Sequence, residues 1–383
     1  MRLSMISAAL VAGLVGYGST IALILAAAQA VGASPAQTAS WVLAISIAKA
    51  AGAASLSLYA KTPVVLAWST PGAALIAATS GLTMGQAVGA FVVTGLLIAL
   101  TGALKPLGRL VAMIPDGIAA GMLAGVLLPF CLKGPEAALT LGWLALPMLA
   151  VFALVRLYNP ALAVLAALTT GIVSAYVSGQ ASLPVLTLPL PHLTFIPPEF
   201  RSDVLLGLAL PLYLVTMASQ NLPGFATMRA AGYEPPVRPA LMTTGLLSAL
   251  AGLSGAHTIS MPAITAAICL GPDVDPNPRT RWKVGLAYAA VWVLLGLLSP
   301  LILPLLHALP PQIMVLLVAL ALLGPLMGSL TGAYLSPTSR FAATITLAVT
   351  ASGTAIFGIG AAFWGLVAGL AIYMLESHTR KSR

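Results

Sequence analysis

The sequence predicts an all-α polytopic membrane protein of fourteen transmembrane segments, arranged as two inverted repeats of seven spans. Three observations carry that prediction. Of 383 residues, 60% are hydrophobic and only 7% charged, with a mean hydropathy of +1.03; a soluble domain carries about 25% charged residues. No ordinary water-facing surface can be assembled from such a chain. Apolar runs of spanning length follow one another from end to end. Finally, Gln29, Ser69 and Pro71 recur 191 residues later as Gln220, Ser260 and Pro262, an offset of half the chain.

Taking about 20 apolar residues per span, helices are predicted near 4–31, 36–59, 84–104, 113–132, 137–156 and 160–179. The second half gives helices near 203–222, 239–255, 284–304, 311–330, 340–355 and 357–375. The start, Met1-Arg2 and an apolar run to Ala28-Gln29-Ala30, imitates a cleavable signal. Since the rest of the chain is equally apolar, a retained first span is the better reading. Two segments break the pattern. Residues 63–80 open with the extended-looking run Pro63-Val64-Val65-Leu66-Ala67-Trp68, continue through Ser69-Thr70-Pro71-Gly72 and end in a short Ala-rich helix. Residues 256–271 repeat the design with Ala256-His257-Thr258-Ile259, then Ser260-Met261-Pro262 and a short helix ending near Gly271. In each, Pro falls where a first helical turn tolerates it and Ser falls at a capping position. Spans 3 and 10 therefore read as a short strand followed by a half-helix. The abundance of Gly (36) and Pro (29) agrees, because broken backbone is tolerated in lipid only where it is buried in protein or faces a cavity.

A further echo sets Ile114-Pro115 against Leu309-Pro310, displaced by 195 as expected if loop 272–283 is a short insertion. An odd number of spans per half makes the repeats inverted. Charge placement agrees. With the amino terminus inside and fourteen crossings, Lys61, Lys105, Arg109, Arg156, Arg229, Arg238, Arg279, Arg281, Lys283 and Arg340 fall on cytoplasmic connections. Both termini join them, with Arg2, Arg380, Lys381 and Arg383, and only Lys133 and Arg201 fall outside, as the positive-inside rule demands. A twelve-span count that omits the broken segments preserves the same ends.

Several function classes are disfavoured. The net charge of +9 is scattered between apolar runs rather than clustered, so membrane topology explains it better than a nucleic-acid partner. Cys131 and Cys269 have no metal-ligand spacing and form no disulfide framework. No spaced metal set, nucleophile elbow or phosphate-binding Gly-Lys loop is present. The expectation is a protein that is not an enzyme and takes no cofactor or metal.

Discontinuous helices that meet near the bilayer midplane aim partial positive charge at an anionic group, and their free N–H groups can bind an oxyanion. Ser69, Thr70 and Gly72 begin one half-helix; Ser260, Met261 and Ala263 begin the other. Two opposed helix starts form an anion cradle, to which ordinary Pro kinks are the plain alternative. Trp68 reads equally as an apolar wall for an aromatic substrate and as an interfacial belt residue. Gln29 and Gln220 need hydrogen-bond partners in apolar spans: they hold a substrate carboxylate or glue helices together. Gln220 is favoured, because Asn221 follows and Pro223-Gly224 ends the helix close by. His257 is the leading proton-coupling candidate, since histidine titrates near physiological pH, with a hydrogen-bonded structural role as its alternative. Asp116 is the second candidate, and a charge at a helix start its plain explanation. Lys49 lies within a span and reads as a snorkelling side chain before it reads as an offset to substrate charge. Asp273 and Asp275 read as part of a solvated turn.

The runs Ala67-Trp68-Ser69-Thr70-Pro71-Gly72-Ala73-Ala74-Leu75-Ile76 and Gly255-Ala256-His257-Thr258-Ile259-Ser260-Met261-Pro262-Ala263-Ile264-Thr265-Ala266-Ala267-Ile268-Cys269 resemble those of the bacterial benzoate transporters, the BenE family of benzoate/proton symporters. The resemblance covers essentially the whole chain. It implies a relation to the uracil and sulfate transporter fold, with a core domain and a gate domain. In nucleobase members of that fold an acidic residue on the eighth span contacts substrate. Gln220 matches that position, and Ser260 replaces the acidic residue of the tenth span; losing both carboxylates suits an anionic substrate.

The division that follows places the core in 1–110 (spans 1–4) and 203–306 (spans 8–11). The gate takes 111–182 (spans 5–7) and 307–376 (spans 12–14), with an extracytoplasmic linker at 183–202 and a cytoplasmic tail at 377–383. The function expected is import of benzoate or a related aromatic monocarboxylate with a proton across the bacterial inner membrane. An inorganic anion carrier of sulfate type, or a nucleobase carrier of the same fold, is the alternative. The partners expected are that substrate, a proton and membrane lipid; a homodimer is compatible with the resemblance.

Overall fold

The computed structural model describes residues 1–104, 113–182, 184 and 191–381. Lys105, Arg109, the start of the linker and the last two residues of the tail lie outside the described residues. The first half runs α1 (Leu3–Gly18), α2 (Ile21–Ala30), α3 (Pro35–Ala60), β1 (Ala67–Trp68), α4 (Thr70–Ala77), α5 (Met84–Ala103), α6 (Asp116–Leu141), α7 (Ala145–Tyr158) and α8 (Pro160–Val177). The second half begins with α9 (Ser202–Ala230). It continues with α10 (Val237–Gly252), β2 (Ile259–Ser260), α11 (Ile264–Leu270), α12 (Lys283–Leu297), α13 (Ser299–His307), α14 (Pro311–Leu335), α15 (Arg340–Ala351) and α16 (Ala361–Lys381). Among the described residues, seven helical runs are long and apolar enough to cross a membrane, or eight when α12 and α13, bent by 57° relative to each other, count as one span.

At the centre the two broken segments meet. β1 and β2 pair antiparallel, with Ala67 opposite Ser260 and Trp68 opposite Ile259. Extended backbone in a water-poor interior must find partners inside the protein, and serines supply them. Ser57 Oγ, on α3, binds both the N–H (3.0 Å) and the carbonyl (2.9 Å) of Val64. Ser248 Oγ, on α10, accepts from the Ile259 N–H at 2.9 Å. These two serines are again 191 residues apart, so the repeat extends to the residues that support each strand. Helix packing exchanges in the same sense: α3 packs along α12, and α5 along α10.

Small residues permit the close approaches. A Cβ at Gly95 of α5 would lie 2.5 Å from the Ala249 nitrogen and 2.8 Å from the Gly245 carbonyl oxygen of α10, the packing mode of membrane helices that bring backbones into contact. Gly121 and Gly125 of α6 meet Ala343 and Thr350 of α15 in the same way, and Gly365 and Gly369 of α16 meet Thr350 and Thr346.

Several boundaries differ from expectation. The first span is divided at Ser19–Thr20 into α1 and α2. No break occurs near 132–137: α6 runs through Pro129 and Pro135 and ends at Gly142, whose φ of 59° and ψ of −127° only glycine adopts freely. The eighth span does not end at Pro223-Gly224. It continues to Ala230, because a π turn at Met217–Asn221 places Pro223 in the first turn of the following α segment, where its missing N–H costs nothing. In the thirteenth segment α15 stops at Ala351, and a turn with positive φ at Gly353, Phe357 and Gly358 precedes α16. The loop 271–283 is not a freely solvated turn. Asp275 is only 2% exposed; it accepts from Thr280 Oγ1 and the Asn277 N–H and pairs with Arg2 at 3.5 Å. Arg281 donates to the Leu270 carbonyl (2.7 Å) and the Tyr233 hydroxyl (2.8 Å), closing the carboxyl end of α11.

Candidate functional site

The site grows from the start of α4. The chain leaves α3 through Lys61 in the left-handed region (φ 52°), runs extended through Val64–Trp68 and turns into helix at Thr70, with Ser69 as the cap. Ser69 Oγ accepts from the Gly72 N–H at 3.1 Å and from the Thr216 hydroxyl of α9 at 3.0 Å. Thr216 Oγ1 also lies 3.0 Å from Thr258 Oγ1, and the Ser69 N–H donates to the Thr258 carbonyl at 2.9 Å. One hydroxyl on α9 thus ties together both broken segments. A Cβ at Gly72 would sit 2.6 Å from Leu212 Cδ1 and 2.8 Å from Ser69 Oγ, so a larger residue there would have to displace the Leu212 side chain of α9 or the capping Ser69.

His257 completes this network. The Trp41 indole N–H donates to His257 Nδ1 at 3.1 Å, and Nε2 lies 3.2 Å from the Ser69 carbonyl oxygen. An indole nitrogen only donates, so Nδ1 accepts and Nε2 carries the hydrogen; the network assigns the neutral tautomer. Both ring nitrogens are engaged and the ring is fully buried.

The second helix start is built differently from the expectation. Ser260 Oγ points to the Ala67 carbonyl at 3.4 Å and caps nothing. The cap position is Ala263, without a side-chain bond, and α11 begins at Ile264. Pairing with β1 holds Ser260 in the strand, which delays the helix by one turn. The Met261 N–H donates to Asn221 Oδ1 at 2.9 Å, and Gly224 lets α9 approach the Met261 backbone.

The structure thus brings together Trp68, Ser69, Thr70 and Gly72 with Ser260, Met261 and Ala263, across α9. Thr70 and Gln220 are half-buried, and neither side chain has a hydrogen-bond partner among the described residues. Gln29 is not part of this cluster: it is exposed near the end of α2. Asp116 is also exposed, at the start of α6, where it lines a recess with Ile114, Met122, Leu214, Ala218 and Leu366, between α6, α9 and α16.

Trp68 is 1% exposed, which removes the belt reading. Its ring stacks edge-on against Trp292 of α12 (centroids 5.1 Å) and lies 5.8 Å from that of Tyr17. Lys49 does not snorkel: it is fully buried, with Nζ 3.6 Å from the Trp68 ring centroid and 2.8 Å from that of Trp292.

Comparison with known proteins decides the family. The family model described as "Benzoate membrane transport protein" matches residues 1–375. The chain belongs to the BenE benzoate membrane transport family. Among relatives, "Inner membrane protein YdcO" of Escherichia coli (strain K12) is 40% identical, covering 96% of this chain and 94% of that one. The "Benzoate membrane transport protein" of Acinetobacter baylyi (strain ATCC 33305 / BD413 / ADP1) is 34% identical, covering 97% and 95%.

Solved structures share the fold. The transmembrane domain of the cyanobacterial bicarbonate transporter BicA superposes with a TM-score of 0.61 at 15% identity, covering 97% of this chain and 98% of that one. Murine Solute Carrier 26 family member A9, an anion transporter in the inward-facing state, gives 0.64 at 12% identity, covering 99% and 69%. This BenE member is therefore a multi-helix membrane transporter with the fold of those carriers, and not an enzyme.

Thr216, absent from the sequence reading, and Asn221, noted there only as the neighbour of Gln220, carry much of the site. Both are polar and lie close to Gln220 in an apolar span, a signal legible in the sequence. Trp41 and Trp292 had no such signal, because their partners lie 216 and 224 residues away in the chain.

Proposed function

We propose that this BenE member imports benzoate or a similar aromatic monocarboxylate together with a proton, across a bacterial inner membrane with both termini cytoplasmic. The observation that carries the proposal is the start of α4: an ordered helix terminus next to a buried aromatic wall, flanked by polar groups that lack protein partners. The positive end of α4, the Thr70 hydroxyl and the Gln220 amide take the carboxylate, and Trp68 packs against the ring. Ser69 and Gly72 hold the helix start in place, since the Ser69 hydroxyl already serves the Gly72 N–H. Met261 and Ala263 line the opposite side, with Ser260 fixing the strand pair.

Fourteen spans divide into a core of spans 1–4 and 8–11 and a gate of spans 5–7 and 12–14. The packing of α6 with α14, and of α15 with α6 and α16, supports the gate as a body. Transport then moves one bundle against the other around the bound anion, along the surface where α9 meets α6 and α16. The buried aromatic residues favour an aromatic acid over an inorganic anion, which has no use for Trp68.

Purified protein in proteoliposomes tests this. Labelled benzoate accumulates when the outside is acid relative to the inside, and collapsing the gradient abolishes accumulation. Uptake indifferent to the gradient removes proton symport, and robust sulfate flux without benzoate uptake replaces the substrate class.

A further inference from the structure

Lys49 stands in the middle of α3 with no exposed surface. Its side-chain nitrogen has no hydrogen-bond partner among the described residues, and the carboxylate ion pairs among them are Arg2–Asp275 and Arg201–Asp203, both remote from it. Two tryptophan rings, Trp68 and Trp292, enclose it. Two further buried hydroxyls in this cluster also lack partners, those of Tyr17 and Ser46. Ser46 lies one turn before Lys49 and packs on Gly296, one turn after Trp292, so the α3–α12 register places Ser46 beside the cage. The Tyr17 ring lies 5.8 Å and 6.1 Å from the two indoles.

Burying an ion without a partner is costly, and a nearby opposite charge offsets that cost. Aromatic faces compensate a cation only in part. An ammonium here is therefore completed by an anion, and an anion here by an ammonium. Trp68 is shared between this cage and the start of α4. We propose that Lys49 is the group that takes up the transported proton, doing so as the substrate carboxylate enters beside Trp68. This rests on the reading of the protein as a proton-coupled carrier of aromatic acids. In the step, the ε-amine lone pair forms an N–H bond while an O–H bond of hydronium, or of the neutral acid, breaks; release on the other side reverses it.

Other titratable groups around Lys49 are Tyr17 on α1, Tyr288 on α12 and His257 before β2, which lies within electrostatic reach. Cys269 of α11 lies near Tyr288. α10 and β1 bring no titratable side chain to the cage, and His307 of α13 is exposed at the far end of that helix. His257 has both nitrogens engaged, and Tyr288 donates to the Leu66 carbonyl at 2.8 Å. Among the described titratable groups around the cage, Lys49 is the basic one with no competing bond.

Calorimetric titration of purified protein with benzoate, in buffers of different ionisation enthalpy, counts protons taken up on binding. The parent should take up about one proton per benzoate, with affinity rising up to about tenfold per pH unit as pH falls. Lys49→Met should bind benzoate weakly with no proton uptake. Lys49→Arg, permanently charged, should bind with pH-independent affinity and catalyse benzoate exchange while losing accumulation driven by a pH gradient. The assignment is overturned if either variant still takes up a proton with each benzoate, or if the parent binds benzoate without proton uptake. A parent that binds no benzoate refutes the substrate reading, and this inference falls with it.

Discussion

Replacing His257 separates its role as a hydrogen-bonded strut from that of a proton carrier. The neutral ring offers one acceptor, to Trp41, and one donor, to the Ser69 carbonyl. His257→Leu removes both and leaves the Trp41 indole N–H, which is fully buried, without a partner. An orphaned buried donor costs about 1–3 kcal/mol. The Ser69 carbonyl still accepts from Ala73 and adds little to the cost. Trp41→Phe in the His257→Leu background removes the orphan, so the double variant should be less destabilised than the sum of the single changes by about 0.5–3 kcal/mol. Glutamine carries one acceptor and one donor on a side chain that does not titrate. His257→Gln should therefore keep both stability and proton-driven benzoate accumulation. Thermal or denaturant unfolding in detergent, with proteoliposome uptake beside it, measures both. Additive single changes, or a folded His257→Gln protein that binds benzoate but no longer accumulates it against a gradient, would refute the reasoning.

Three further outcomes are expected. Gln220→Ala should weaken benzoate binding about tenfold or more without altering folding, because a hydrogen bond to a charged group contributes about 1.5–3 kcal/mol; calorimetry on the purified variant decides. Gly245→Ala forces a methyl group into the α5 backbone at Ala99 and should destabilise by about 1–3 kcal/mol. Gly324→Ala on α14, which meets nothing within 4 Å, should be neutral or stabilising; equal midpoints for the two variants would contradict the packing. The Thr280 hydroxyl and Asn277 N–H hold the Asp275 carboxyl below the usual carboxylate range. Its contribution to stability is therefore present above about pH 4 and lost as pH falls through the depressed native value. Unfolding midpoints followed on acidification should fall more steeply for the parent than for Asp275→Asn, and parallel curves would count against that role.

What depends on local pattern is legible in the chain alone. Apolar runs locate nearly every helix, Pro71 and Ser69 locate the start of α4, and the offset of 191 residues pairs the two broken segments. Ser260 was misread by the same logic: a serine two residues before a proline is a cap when the strand ends there, and Ser260 is still paired with Ala67. The break expected between 132 and 137 is absent, because the helix carries Pro129 and Pro135 in its interior and the glycine that ends it, Gly142, lies beyond them. The surroundings of Lys49, His257 and Asn221 follow from tertiary packing alone. Position in a span points Lys49 to snorkelling; its enclosure depends on Trp292 arriving on α12, in a register set by Ser46 against Gly296 and Ser57 against Gly285. Hydrophobicity and capping act between neighbours in the chain and leave a readable trace. A cage closed by residues from α1, α3, β1 and α12 leaves none, because its members become neighbours only when the inverted halves interlock.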